Sequence, residues 1–224
     1  MITGEGVSHR LGERLALDRV TVSFAEQRVG VIGANGSGKS TFARLLNGLI
    51  VPDSGRVTVD GLSTAREGRE VRRNVGFVFT DPDAQIVMPT VAEDVAFGLR
   101  RRGLTKAEVK ERVAAALSTY GLADHGDHPA HLLSGGQKQL LALTSVLVTE
   151  PALLVMDEPT TLLDLRNARM VSGVVAALPQ QVVLVSHHLD LLDGFDRVLV
   201  FHEGRLVGDE LPGDAVRHYR RLMA

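Results

Sequence analysis

The sequence predicts an α/β protein whose sheet core is built from both ends of the chain, with a helical lobe inserted between them. Three observations carry this. "LLVM" and "VVLV" are continuous apolar runs of the kind buried in a parallel sheet. A glycine-rich loop, "GANGSGKST", sits between an apolar run and a helical pattern. From about Pro89 to Ala142 the texture changes to helical spacing of apolar residues, and strands return only after that.

The elements follow in order. "RVTVSF" and "QRVGVIG" are β-rich runs separated by Ala25-Glu26. A helix is expected from about Ser40, with a stop at Asn47-Gly48. "PDSGRVTVDG" reads as turn, strand, turn, and "NVGFVF" as a further strand that ends at Thr80-Asp81-Pro82-Asp83, a polar turn set by its proline. "VAEDVAFGLRRRG", "TKAEVKERVAAALSTYGL" and "SGGQKQLLALTSVLV" read as helices. "ALLVMDEP" and "QVVLVSHH" are strands, with the helix "LRNARMVSGVVAAL" between them. "RVLVFHEGRLVGD" is a hairpin, followed by the helix "GDAVRHYRRLMA". Repeats and low-complexity linkers are absent. The expectation is a single domain over 1–224, with the core at 1–80 and 150–224 and the lobe at about 81–149.

Composition bounds the function. The chain has 224 residues, 44% hydrophobic and 23% charged, enough to bury a sizeable core. A net charge of -2 and a pI near 6.4 argue against a nucleic-acid partner. With no cysteine, disulfides and thiolate metal sites are excluded, and a reducing cytosol is compatible. The first residues carry charges throughout, so no signal peptide is expected. The longest apolar run, "LLALTSVLV", is about half the ~18 residues that span a bilayer, so a soluble chain that docks on something else is expected.

Gly33-Ala34-Asn35-Gly36-Ser37-Gly38-Lys39-Ser40, followed by Thr41, fits a phosphate-binding loop. Its glycines let successive backbone N–H groups point into one concavity, and the following helix places its positive end under the phosphates. In this pattern Lys39 reaches the β and γ phosphates of a nucleotide and the Ser40 hydroxyl ligates Mg²⁺. A plain glycine turn is the alternative; the strand before and the helix after favour the phosphate loop. Asp157 ends the apolar strand Leu153–Met156 and can hold Mg²⁺ through its water shell, while Glu158 follows where a γ-phosphate would lie. Two acids at a strand end repel each other unless a metal and a water explain them. Ser134-Gly135-Gly136-Gln137 opens another helix, a second phosphate-binding device without lysine or metal ligand. One chain rarely needs two such devices for one triphosphate. Two chains arranged head to tail do, each offering its turn to the other's γ-phosphate; a capped helix with a glycine turn is the plain alternative.

GANGSGKST, LSGGQ and LLVMDEP, in that order, resemble the ATPase subunit of an ABC transporter over nearly the whole chain. The resemblance implies an ABC-type P-loop NTPase with a RecA-like core, a small antiparallel β part and an inserted helical lobe. It implies ATP and Mg²⁺, and ATP-driven closure of a two-subunit sandwich, with a homodimer expected. It assigns Glu158 as the general base that orients water, His187 as the switch histidine at the γ-phosphate, and Asp164, in "TTLLD", as the dimer-loop contact. His188 stands where an aspartate is common and reads as an exposed histidine.

The family places a metal-contacting glutamine after the strand that ends at Phe79, and this chain has Thr80 there. Thr80 is shorter by about two bonds, so Thr80 or Gln85 is the further metal candidate. "DPDAQIVMPTVAEDVAFG" resembles one branch, the ATPases of energy-coupling factor transporters, which import vitamins, cobalt or nickel. Length and motif look most like the biotin-transporting members, with a cobalt or nickel importer or another ABC transporter as alternatives. The branch implies a transmembrane coupling subunit, a substrate-binding membrane subunit and a peripheral place on the cytoplasmic face of the membrane. Leu11 takes the slot where the family stacks an aromatic on adenine, with His9 nearby. Arg100-Arg101-Arg102 reads as a solvated helix end, and His125, His128 and His131 as loop residues rather than a metal site.

Overall fold

The computed structural model describes residues 1–100 and 102–224. Arg101, the middle of the arginine run, lies outside the described residues. Two compact units divide the chain. The first comprises Met1–Gly76, Ala152–Glu158 and Gln180–Ala224; the second comprises Phe77–Pro151 and Pro159–Pro179.

The first unit opens with β1 (Ile2–Leu11), β2 (Arg14–Phe24) and β3 (Arg28–Gly33), then α1 (Lys39–Leu46), β4 (Ser54–Val59), β5 (Leu62–Ser63) and α2 (Gly68–Asn74). The strand β6 (Val75–Val78) begins in this unit and runs on into the second. One antiparallel sheet has the order β2-β1-β4-β5. The first strand was not anticipated. Its alternation is broken by register shifts between Gly4 and Val7 and again before His9, so the period-two signal is lost while Ile2 and Val7 stay buried.

The second half of the first unit holds β7 (Leu153–Asp157), β8 (Gln181–Val185), β9 (Arg197–His202) and β10 (Arg205–Glu210), and the C-terminal α7 (Pro212–Leu222) comes after α6 in the chain. The larger sheet has the order β10-β9-β3-β8-β7-β6. β3 is parallel to β8 and β9, β7 is parallel to β8, and the hairpin strand β10 is antiparallel to β9. The apolar runs are therefore central strands covered on both faces: Val29, Val31, Ile32, Leu154, Val155, Val182 and Val183 are fully buried. Phe42 of α1 packs on Phe201 of β9 with ring centroids 5.2 Å apart, which seats the helix on the sheet.

The second unit carries α3 (Val91–Gly98), α4 (Lys106–Thr119), α5 (Gly135–Leu147) and α6 (Leu165–Ala177). Each start is written in the sequence. Thr90 with Glu93, Thr105 with Glu108, and Ser134 with Gln137 form capping boxes, and Asp164 caps α6 by accepting from Asn167 N at 2.8 Å. Residues 159–179, placed with the core by the sequence pattern, cluster here with the helices. The reason is a close approach: a Cβ on Gly136 of α5 would lie 2.4 Å from the Asn167 side chain of α6. Asp94 is buried in α3 and takes three donors, Val87 N at 2.8 Å, Met88 N at 3.1 Å and Ser145 Oγ at 2.8 Å. The arginine run begins only after α3 has ended at Gly98.

Candidate functional site

The phosphate loop joins β3 to α1. A Cβ on Gly33 would lie 2.2 Å from Phe201 O, and Gly38 has φ +102°, so neither position admits a side chain without moving backbone. Gly204 N donates to Ser37 O at 3.0 Å and holds the loop against the β9–β10 turn. Lys39 opens α1 and is only 5% exposed. Its Nζ donates to Gly33 O at 2.7 Å and Ala34 O at 2.9 Å, so the ammonium bridges the carbonyls of its own loop. Burial pushes its pKa down, against the opposing pull of Glu158 and Asp157. Ser37 Oγ is buried with no hydrogen-bond partner. Ala34, Asn35 and Gly36 form the open side of the loop, and Thr41 is buried behind it.

Ser40 Oγ donates to Asp157 Oδ1 at 2.8 Å. Asp157 is 1% exposed, and burial raises its pKa despite the Ser40 hydroxyl and the Arg44 guanidinium 3.8 Å from Oδ2. The two residues form a hydroxyl–carboxylate pair beside the lysine, the hard-oxygen set a divalent cation takes. Loop amides, an ammonium and an unpartnered buried hydroxyl suit the phosphates of a nucleotide. The residues present fit both groups.

Parallel pairing of β7 and β8 sets Asp157 opposite Val185, so Glu158 and His187 leave the sheet side by side. Glu158 N donates to Val185 O at 3.0 Å. Its φ of +52° is in the left-handed region, a cost on the order of 1–3 kcal/mol for a residue with a side chain. His187 Nδ1 lies 2.6 Å from Glu158 Oε2, and His187 N reaches the same oxygen at 3.2 Å. His188 is exposed and stacks obliquely on His187, with centroids 4.1 Å apart.

These residues all belong to the first unit. Thr80, Gln85, Ser134, Gly135, Gly136, Gln137 and Asp164 belong to the second. There, Ser134 precedes α5, space around Gly135 is open, and Gln137 N donates to Ser134 Oγ at 3.4 Å. Thr80 follows the end of β6 and is partly buried. The Gln85 amide is engaged at both ends: Oε1 accepts from Phe79 N at 3.1 Å and Nε2 donates to Ala142 O at 3.1 Å. Gln139 Nε2 approaches Phe79 O at 3.5 Å, so two glutamines hold the backbone N–H and C=O of one residue.

Sequence reasoning did not find the wall beside the phosphate loop. A cavity of about 420 Å³ is lined by Arg14, Leu15, His202 and Glu203 together with residues 34–37, and among the described residues no phenylalanine, tyrosine or tryptophan lines it. Arg14 also donates to Gly36 O. Leu11 is 54% exposed and lies outside that wall, and His9 is packed into β1 with Nδ1 3.8 Å from Asp53 Oδ2. Among the described residues, no group of three or more histidine, aspartate or glutamate side chains forms a metal cluster, His125, His128 and His131 included.

The family described as ABC transporter matches residues 17–161. The chain belongs to the ABC transporter family. This ABC ATPase is 53% identical, over 100% of its own length and 99% of the other, to a putative ABC transporter ATP-binding protein of Deinococcus radiodurans. It is 50% identical to the biotin transport ATP-binding protein BioM of Rhizobium etli, covering 98% of this chain and 96% of that one. Identity to the energy-coupling factor transporter ATP-binding protein EcfA1 of Symbiobacterium thermophilum is 45%, covering 100% and 83%. Its fold matches cbiO1 from Clostridium perfringens, part of the ABC transporter complex cbiONQ, with TM-score 0.85 and 31% identity over 99% of this chain and 92% of that one. The ABC ATPase thus groups with the energy-coupling factor branch and hydrolyses ATP. None of the helices is long and apolar enough to cross a membrane, among the described residues.

Proposed function

We propose that this chain is the motor of an energy-coupling factor importer, and that the cargo is biotin. The observation that carries the motor reading is the meeting of Glu158 and His187 at the strand ends beside Asp157. A nucleotide-binding regulator without turnover has no use for a base held by a histidine at the end of a strained turn. In this reading Gly33–Thr41 binds the phosphates, with Lys39 as the fixed charge. Ser40 and Asp157 hold Mg²⁺, with Thr80 as a further contact through water. The Gln85 amide, already bonded at both ends, serves the loop instead. Mg²⁺ held at Ser40 and Asp157 would neutralise phosphate charge. Glu158 accepts a proton from water at Oε2 once His187 turns away.

The remaining residues serve partners. Ser134, Gly135, Gly136 and Gln137 contact the nucleotide of a second copy, and Asp164 meets that copy directly. A transmembrane coupling subunit and a substrate-binding membrane subunit complete the importer, with this chain peripheral on the cytoplasmic face. Biotin as cargo is supported by the 50% identity to BioM across almost the full length of both chains. The test is to purify the chain with its membrane subunits in detergent and identify the small molecule they retain. Retained biotin, with ATP-dependent uptake in vesicles, supports the reading. Another retained vitamin or a metal ion overturns the cargo, and no membrane partner overturns the importer.

A further inference from the structure

We propose that His125 is a positioning residue for the turn Ser134–Gln137, acting through the Gln137 amide; the inference rests on the reading of that turn as the part offered to a second copy's nucleotide. His125 ends a short 3₁₀ turn, Ala123–His125, between α4 and α5. Gln137 Oε1 accepts from Ser134 N at 2.9 Å. That bond sets the orientation of the amide, because an NH₂ group has no lone pair to offer an N–H donor. The Gln137 NH₂ must then point the other way, and it lies 2.9 Å from His125 Nε2.

Two donors cannot face each other at that distance. His125 Nε2 is therefore the acceptor, and the ring proton sits on Nδ1. Nδ1 is buried with no hydrogen-bond partner. The edge of His128, with centroids 5.1 Å apart, supplies the adjoining wall. The one hydrogen bond the ring makes is thus given to Gln137.

An amide held at both ends cannot turn over. Without the His125 acceptor, Gln137 is free to rotate to solvent, and Ser134 N loses its cap. The remaining bond of the box, Gln137 N to Ser134 Oγ, is long at 3.4 Å and holds the hydroxyl poorly alone. The hydroxyl of Ser134 and the N–H groups beside open Gly135 are the groups a phosphate would meet. His125 touches none of that phosphate; it sets the direction of the groups that do.

The test uses the full chain with Glu158→Gln, in which ATP-bound dimers are expected to accumulate, and reads dimer formation by sedimentation across ATP concentrations. His125→Leu is expected to weaken ATP-driven dimerisation by roughly 5- to 30-fold, the worth of one or two hydrogen bonds, with nucleotide binding to the monomer unchanged. His125→Gln, whose carbonyl accepts from Gln137, is expected to restore most of it, and His125→Lys, a donor only, is not. Equal losses for the leucine and glutamine variants would mean the ring merely packs, and would overturn the proposal. Ser134→Arg separates the two levels. If it also dimerises normally, the reading of the turn fails; if it alone abolishes the dimer while His125→Leu does not weaken it, only the positioning role fails. Should the leucine variant not fold, glutamine against lysine decides, and equal behaviour of those two overturns the proposal.

Discussion

Glu158 Oε2 accepts two hydrogen bonds from one residue, from His187 Nδ1 at 2.6 Å and from His187 N at 3.2 Å. An oxygen engaged by two donors has to release one of them before it can receive a proton from water. In the proposed reading this acid–histidine pair opens before Glu158 meets water. Glu158→Gln removes the base while keeping shape. Steady-state hydrolysis is expected to fall by ~10²–10⁴, with nucleotide affinity within a few-fold of the parent by equilibrium binding. Turnover near the parent rate would remove Glu158 from the role of base.

Assembly has its own prediction. Lys39→Ala and Ser134→Arg should each be inactive, the first through its own phosphate loop and the second through the loop of its partner. Mixing the two chains allows one intact composite site per mixed dimer. Hydrolysis in the mixture is expected to exceed the sum of the separate chains, and a strictly additive result would mean that each chain completes its site alone.

Thr80 and Gln85 separate into two roles. Gln85 holds Phe79 N and Ala142 O, so Gln85→Ala should lower thermal stability by about 1 kcal/mol for each hydrogen bond lost. Thr80→Gln restores a longer amide at the position proposed as a further metal contact. It is expected to raise the basal ATPase rate and reduce stimulation by the membrane subunits, since a small misplacement of reacting groups costs ~10²-fold. Identical kinetics for Thr80→Gln and the parent, with and without those subunits, would show the threonine to be only a strand end.

Asp157 is a buried carboxyl that, in the proposed reading, serves a cation. Burial raises its pKa, so the ionised form is disfavoured in the ligand-free fold. Asp157→Asn keeps an acceptor for Ser40 and removes the charge. The ligand-free variant is expected to melt higher than the parent at pH 7, by roughly 2–4 °C per kcal/mol recovered, while Mg²⁺-dependent hydrolysis collapses. A lower melting temperature would show that the carboxylate stabilises the empty fold.

Some of this architecture was open to reading from the chain alone because its signals are local. A glycine loop between strand and helix, an apolar run ending in Asp157-Glu158, and Ser134 three residues before Gln137 each carry their own geometry. What escaped depends on distant partners. Arg14 and His202 come to one cavity wall from the start of β2 and the end of β9, 188 residues apart in the chain. β1 hides behind its bulges. The acidic pair after Thr90 looks uniform in sequence, yet Glu93 closes a capping box and Asp94 is buried under three donors. Gln85 was a metal candidate only while the hydrogen-bond partners of its amide were unknown. The helix Leu165–Ala177 was legible, but its grouping with α5 depends on Gly136 having no side chain.

The three donors on Asp94 have a mechanical consequence. Val87 is 61% exposed, yet its N–H and that of Met88 are tied to a carboxylate that also grips Ser145 in the last turn of α5. A loop tip fastened in this way is a lever arm rather than a cushion. Through Asp94 the backbone beside the exposed Val87 side chain is joined to the last turn of α5, the helix that opens with Gly135-Gly136-Gln137. The same fastening should make two amides in an outwardly exposed loop among the slowest in the second unit to trade their hydrogens with water.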